Sequence, residues 1–143
     1  MRWTLHFVVI FGVLAFSVVH AGEAGKDLKA LQGEWQAVEL IGQGKKATEE
    51  EVKQFRLVIK GNDLSIGNRK STFKIDPTKS PKAIDVTPLD GPQKGKVIPG
   101  IYALEKGQLR ICISNGPNDS DRPKEFKAEP GTGYVVITLE RAK

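Results

Sequence analysis

The chain has 143 residues with 22 Lys and Arg against 17 Asp and Glu, a formal charge of +5, which is room for one mildly basic domain. Both histidines, His6 and His20, and the only methionine, Met1, fall before Gly22, so the chain beyond can build no Ser-His-Asp or Cys-His arrangement and offers no imidazole to zinc or iron. No block of like charge is long enough for a nucleic-acid arm, and a single cysteine, Cys112, excludes an internal disulfide.

The chain opens "MRWTLHFVVIFGVLAFSVVHA": Arg2, an apolar run from Leu5 to Val19, then the small-residue cleavage signal Val19-His20-Ala21. The run falls short of the ~20 residues that span a bilayer. The pattern predicts a signal peptide over 1–21 and export to a periplasmic or extracellular space, with membrane contact only through this segment if it stays uncleaved. Cleavage after Ala21 removes one basic residue, Arg2, so the formal charge goes from +5 to +4, and Trp35 becomes the only tryptophan.

Residues 22–27, "GEAGKD", read as a flexible start, and the folded domain as 28–143. "DLKALQ" has Leu28 and Leu31 at helical spacing with Asp27 as N-cap, which predicts one short helical turn. The pattern then changes to period two. Strands are predicted over 34–40, 55–60, 63–66, 71–75, 82–87, 96–105, 108–114 and 134–141, separated by turn residues at the spacing of an all-β barrel or sandwich. Between the first two, "ATEEEVKQF" predicts a short helix: Thr48 and Glu51 form a capping box, and Glu49, Glu50 and Glu51 complement the positive end of the helix dipole. Eight strands and little helix point to an eight-stranded up-and-down antiparallel barrel, which side chains can fill or which can hold one small ligand.

The loop "GPQKGK", residues 91–96, has the composition of a phosphate cradle and fails as one. Gly91 and Gly95 are separated by three residues where a P-loop needs four, Val97 stands where a hydroxyl should bind magnesium, and Pro92 lacks an N–H. It reads as a turn between the fifth and sixth strands. Cys112, among the apolar residues of "LRICIS", reads as a small buried hydrophobe; a reactive thiol would want positive charge nearby, for which Arg110 on the same face is the support.

Gly33-Glu34-Trp35, entering the first strand after a helical turn, resembles the Gly-x-Trp signature of the lipocalins. That resemblance implies that Trp35 closes one end of the barrel and that an arginine from the chain's end packs over it. Arg141 has the parity of Val135, Ile137 and Leu139, and in an eight-stranded meander the first strand begins where the eighth ends, so the two should meet in a cation–π contact. The ordered segments "LQGEW", "LVIKGNDL", "KIDPTKSPKAIDVTPLDGPQKGKVIPGIYALEKGQLRICIS" and "RPKEF" are similar to the lipocalin-like domain family of small exported proteins of planctomycete bacteria, over nearly all of residues 28–141. The resemblance implies a fold and supplies no reaction. The wider lipocalins add, by fold analogy, a small apolar ligand.

With Trp35 at the closed end, residues 41–54, 67–70, 88–95 and 115–133 fall at the open mouth, where their charges sum to +1, too little to attract phosphate or nucleic acid. The longest, 115–133, is expected to be mobile or folded over the mouth. Its Asn118-Asp119-Ser120 triplet matches a glycosylation sequon, which carries no weight in the bacterial setting the resemblance implies. Gly33, Trp35 and Arg141 are the expected closure; Glu39, Phe55 and Tyr102 are the expected ligand contacts. Glu39 shares the parity of Trp35 and Ala37 and points inward, unless a bulge turns it out, as the opposite parity of Val38 and Leu40 allows. No catalytic residue, metal or cofactor is indicated. The expected function is that of an exported, monomeric, non-enzymatic barrel binding a small apolar or amphiphilic molecule at its open end. The alternative is a solid barrel in which 115–133 contacts another protein or the cell envelope.

Overall fold

In the computed structural model the described residues are 17–114 and 121–143, with side chains from residue 22 onward. The apolar run as far as Phe16, expected to be part of a signal peptide, and the Asn118-Asp119-Ser120 triplet lie outside the described residues. In chain order the elements are α1 (Ser17–Leu31), β1 (Gly33–Gly42), β2 (Lys45–Lys46), α2 (Glu49–Gln54), β3 (Arg56–Lys60), β4 (Asp63–Ile66), β5 (Arg69–Asp76), β6 (Lys82–Pro88), β7 (Ile98–Glu105), β8 (Gln108–Ser114) and β9 (Tyr134–Arg141). Strands β1 and β3 to β9 pair antiparallel in order, and β1 also pairs with β9, so the sheet closes into an eight-stranded barrel with no free edge. The unexpected β2 is a two-residue flap on the end of β1.

Inward residues from all eight barrel strands form one apolar cluster. It runs through Trp35 and Ala37, Leu57 and Ile59, Leu64, Phe73, Ile84 and Val86, Tyr102, Leu109 and Ile111, Ile137 and Leu139. Gly100 also faces inward, and the space at its Cα is taken: an added Cβ would lie 2.5 Å from Ile113 Cγ2 and 3.2 Å from Ile84 Cγ2. A barrel of this size can be filled by side chains of this kind.

The closed end is built where the signature residues meet the helix. The register pairs Trp35 with Arg141, and the guanidinium carbon stands 4.2 Å from the centre of the indole ring. An α-helix leaves its last four carbonyls without intrahelical partners, and α1 satisfies each of them differently. Gln32 donates from its side chain to Leu28 and from its backbone to Lys29, Arg141 Nη2 donates to Ala30 at 2.5 Å, and Trp35 Nε1 donates to Leu31 at 2.9 Å. Arg141 Nη1 also holds the Gln32 carbonyl. Gly33 turns the chain from helix to strand at φ 114°, where a side chain would be strained, and an added Cβ would sit 2.9 Å from Arg141 Nη1.

Several expectations change. α1 is a helix of fifteen residues rather than one turn, residues 22–27 are helical rather than flexible, and Asp27 lies inside the helix instead of capping it. The strand expected over 96–105, the sixth of the eight, is β7 and starts at Ile98, which returns Lys96 and Val97 to the preceding loop. Residues 121–133 lie against the outer face of β7, β8 and β9 rather than over the mouth. There Ala128 and Phe126 pack on Ile101, Cys112 and Val136 in a second apolar cluster outside the barrel.

Candidate functional site

At the open end, the half-buried side chains Leu40, Ile66, Ile113 and Val135 of the strands, with Val52 of α2 and Phe55 at its C-cap, rest on top of the core. The helix that brings Val52 and Phe55 there is set by its capping box: Glu51 N–H donates to Thr48 Oγ1 at 3.3 Å, and Thr48 N–H donates to Glu51 Oε2 at 2.9 Å. The three glutamates in its first turn are thereby accounted for as helix chemistry.

The expected ligand contacts are not brought together. Phe55 lies at the mouth as expected. Glu39 does not face inward: the β1–β9 register shifts between Ala37 and Glu39, which bulges the strand, returns Leu40 to the core and turns Glu39 out to pair with Lys46 at 3.2 Å. Glu39 lines a groove of about 230 Å³ between β1 and α2, with Val38, Leu40, Lys46, Val52 and Lys53.

Tyr102 is fully buried in the barrel, and its hydroxyl reaches α1 instead of the mouth. It donates to Asp27 Oδ2 at 2.7 Å, and Lys82 Nζ donates to the same oxygen at 2.8 Å. Burial works to raise the Asp27 pKa, but the hydrogen bonds from Lys82 and Tyr102, with the charges of Lys82 and Lys26, outweigh it and hold the carboxyl below its ordinary value. Burial first, and then the bond to Asp27, push the Tyr102 hydroxyl well above the ordinary tyrosine range. This triad, which ties α1 to β6 and β7, has no local sequence signal, because its members are 55 and 75 residues apart. An inward tyrosine does, however, call for a partner to its hydroxyl.

On the flank, Arg122 anchors the segment 121–133. Its guanidinium donates to Asp85 at 2.7 Å and to the carbonyls of Ile84 and Gly100, which are partners across β6 and β7. Arg110 lies over Phe126, 4.6 Å from the ring centre, and Gly44 N–H donates to Ala128 at 2.6 Å. Cys112 is wholly buried beneath this segment, and burial pushes its thiol up to about 11, which is the behaviour of a small hydrophobe and not of a nucleophile. A larger recess of about 740 Å³ is lined by Arg122, Lys124, Glu125, Lys127 and Tyr134 among others.

The "GPQKGK" loop is a turn. Lys94 N–H donates to Gly91, Gly95 N–H to Pro88 and Lys96 N–H to Gln93, at 2.9–3.2 Å, so these three donors serve the turn and not a phosphate cradle. Among the described residues no three His, Cys, Asp or Glu side chains converge as metal ligands, and no helix is long and apolar enough to cross a membrane. Compared with protein-family models, with curated proteins and with solved structures, the chain shows no match.

Proposed function

We propose that the chain is an exported, non-enzymatic, lipocalin-like barrel whose interior is structural and whose contacts with a partner in the cell envelope are made by its outer surface and open rim. The packing at Gly100 carries this reading: the inward face has no room for one methyl group there, between Ile84 and Ile113. Three sets of titratable side chains also support it, because they hold elements together. Asp27, Lys82 and Tyr102 tie down α1, Arg122 and Asp85 tie down the flank, and Glu39 and Lys46 tie β2 to β1.

A second reading, a small apolar or amphiphilic ligand seated on the open end, is favoured by the half-buried set Leu40, Val52, Phe55, Ile66, Ile113 and Val135. Native mass spectrometry after incubation with fatty acids and hydrophobic dyes separates the two. The filled barrel stays at its bare mass; a one-to-one adduct that Phe55→Ser removes would establish the second reading and overturn the first.

A further inference from the structure

We infer that the open rim docks on an anionic lipid surface through the β6–β7 loop. Leu89 and Val97 enter the headgroup region, and Arg69, Lys70, Lys94 and Lys96 meet the lipid phosphates. The inference rests on the proposal that the barrel works through its surface, and it names the partner.

Three large apolar side chains are exposed among the described residues, and two of them, Leu89 at 47% and Val97 at 61%, stand at the two ends of this one loop. They share the outward parity, since Ile84 and Val86 on one strand and Gly100 and Tyr102 on the other face the core. The β4–β5 turn lies beside them: Leu89 N–H donates to the Lys70 carbonyl at 2.9 Å, which carries the β5–β6 ladder one residue beyond the end of β6. Arg69, Lys70, Lys94 and Lys96 are all exposed, and none is in an ion pair among the described residues. One carboxylate, Asp90, opposes them within the two loops.

The near-neutral sum over all mouth loops conceals this patch. The β7 start at Ile98 leaves Lys96 in the loop, and the 121–133 segment packs through Phe126 and Ala128 on the outer face of β7, β8 and β9 and meets the rim at Gln43 and Gly44 of the β1–β2 turn. The loop is braced by backbone hydrogen bonds from Lys94, Gly95 and Lys96, which fix the turn that carries the two lysines. Two apolar side chains flanked by cations suit an interface that is apolar within and anionic at its surface. Each cation near such a surface is worth about five-fold in partition, whereas two apolar side chains alone anchor weakly. Charge complementarity therefore selects anionic over neutral lipid.

Sedimentation with vesicles of phosphatidylcholine doped with phosphatidylglycerol, against phosphatidylcholine alone, tests this with the protein as recovered from its exporting host. Any leader contribution is common to all variants. The protein should partition to the anionic vesicles, less so as salt is raised. Lys94→Gln with Lys96→Gln should lower partition about 25-fold, Leu89→Ser with Val97→Ser should lower it further than the same changes lower stability, and Lys60→Gln with Lys106→Gln at the closed end should leave it unchanged. Equal binding to neutral vesicles, no binding to either, or indifference to the rim lysines would overturn the inference. So would a concentration-dependent dimer broken by Leu89→Ser, which would give the patch to a second copy of the chain. Failure here with a bare mass in native mass spectrometry removes the lipid partner alone; a carried apolar molecule would remove the filled-barrel reading itself.

Discussion

Arg141 stacks on Trp35 while its guanidinium holds the carbonyls of Ala30 and Gln32, so one side chain joins the last strand, the first strand and the C-terminal end of α1. The contact is both a barrel closure and a helix cap. Trp35 supplies the ring and also donates to Leu31, which makes the Gly-x-Trp and arginine pair a device for ending a helix against a sheet.

Replacing Arg141 by Lys keeps the charge and removes the planar fork and the stack. The expected loss is about 1–3 kcal/mol, from the cation–π contact and the carbonyl hydrogen bonds together. Gly33→Ala should cost a similar amount, about 1–3 kcal/mol, through strain at its positive φ and the contact with Arg141. Urea unfolding of both variants checks this; unchanged midpoints would mean that the closure is incidental to stability.

The triad at the closed end predicts an acid limb. Asp27 has its pKa held below the ordinary 3.8, so its contribution is present above about pH 4 and is lost as pH falls through the lowered value. Asp27→Asn should be less stable at neutral pH and flatter below pH 4, measured as unfolding midpoint against pH. At the other extreme, Cys112 is raised from 9.0 to about 11 and Tyr102 is raised as well, so stability that is whole below pH 9 should fall as pH rises through these folded values.

The close packing at Gly100 predicts that Gly100→Ala is disruptive although alanine favours strands no less than glycine. Overpacking against Ile113 and Ile84 should cost about 1–3 kcal/mol. A neutral or stabilising result in thermal unfolding would reveal space that the filled barrel does not have.

Arg122 predicts a local opening. Arg122→Ala removes the hydrogen bonds to Asp85, Ile84 and Gly100, and should release residues 121–133 while the barrel persists. Hydrogen exchange should rise in that segment alone. Cys112, buried beneath it, should react faster with a thiol reagent; equal rates in variant and parent would contradict the anchoring role.

Most strands are legible because one face is wet, and the bulge at Val38 is legible as a parity conflict with Ala37 and Glu39. The Trp35–Arg141 pairing followed from topology and resemblance together. The placement of 121–133 is not legible in this way, because a loop with no period announces no partner. A signal was nonetheless there: Ile101, Cys112 and Val136 are apolar on the outward parity of strands that are also apolar inward, which is how a sheet covered on both faces reads. The Asp27–Lys82–Tyr102 contact joins residues too distant in sequence for any local pattern, and the length of α1 was obscured by the glycines at 22 and 25, which are poor helix formers.

The central claim is that the interior is structural and the rim makes the contacts, and methyl-resolved NMR of the protein tests it most directly. Titration with fatty acids should leave the methyls of Ile59, Ile84, Ile111 and Ile137 unmoved, and titration with phosphatidylglycerol micelles should shift those of Leu89 and Val97. Saturable shifts of the interior methyls with an unmoved rim would contradict it.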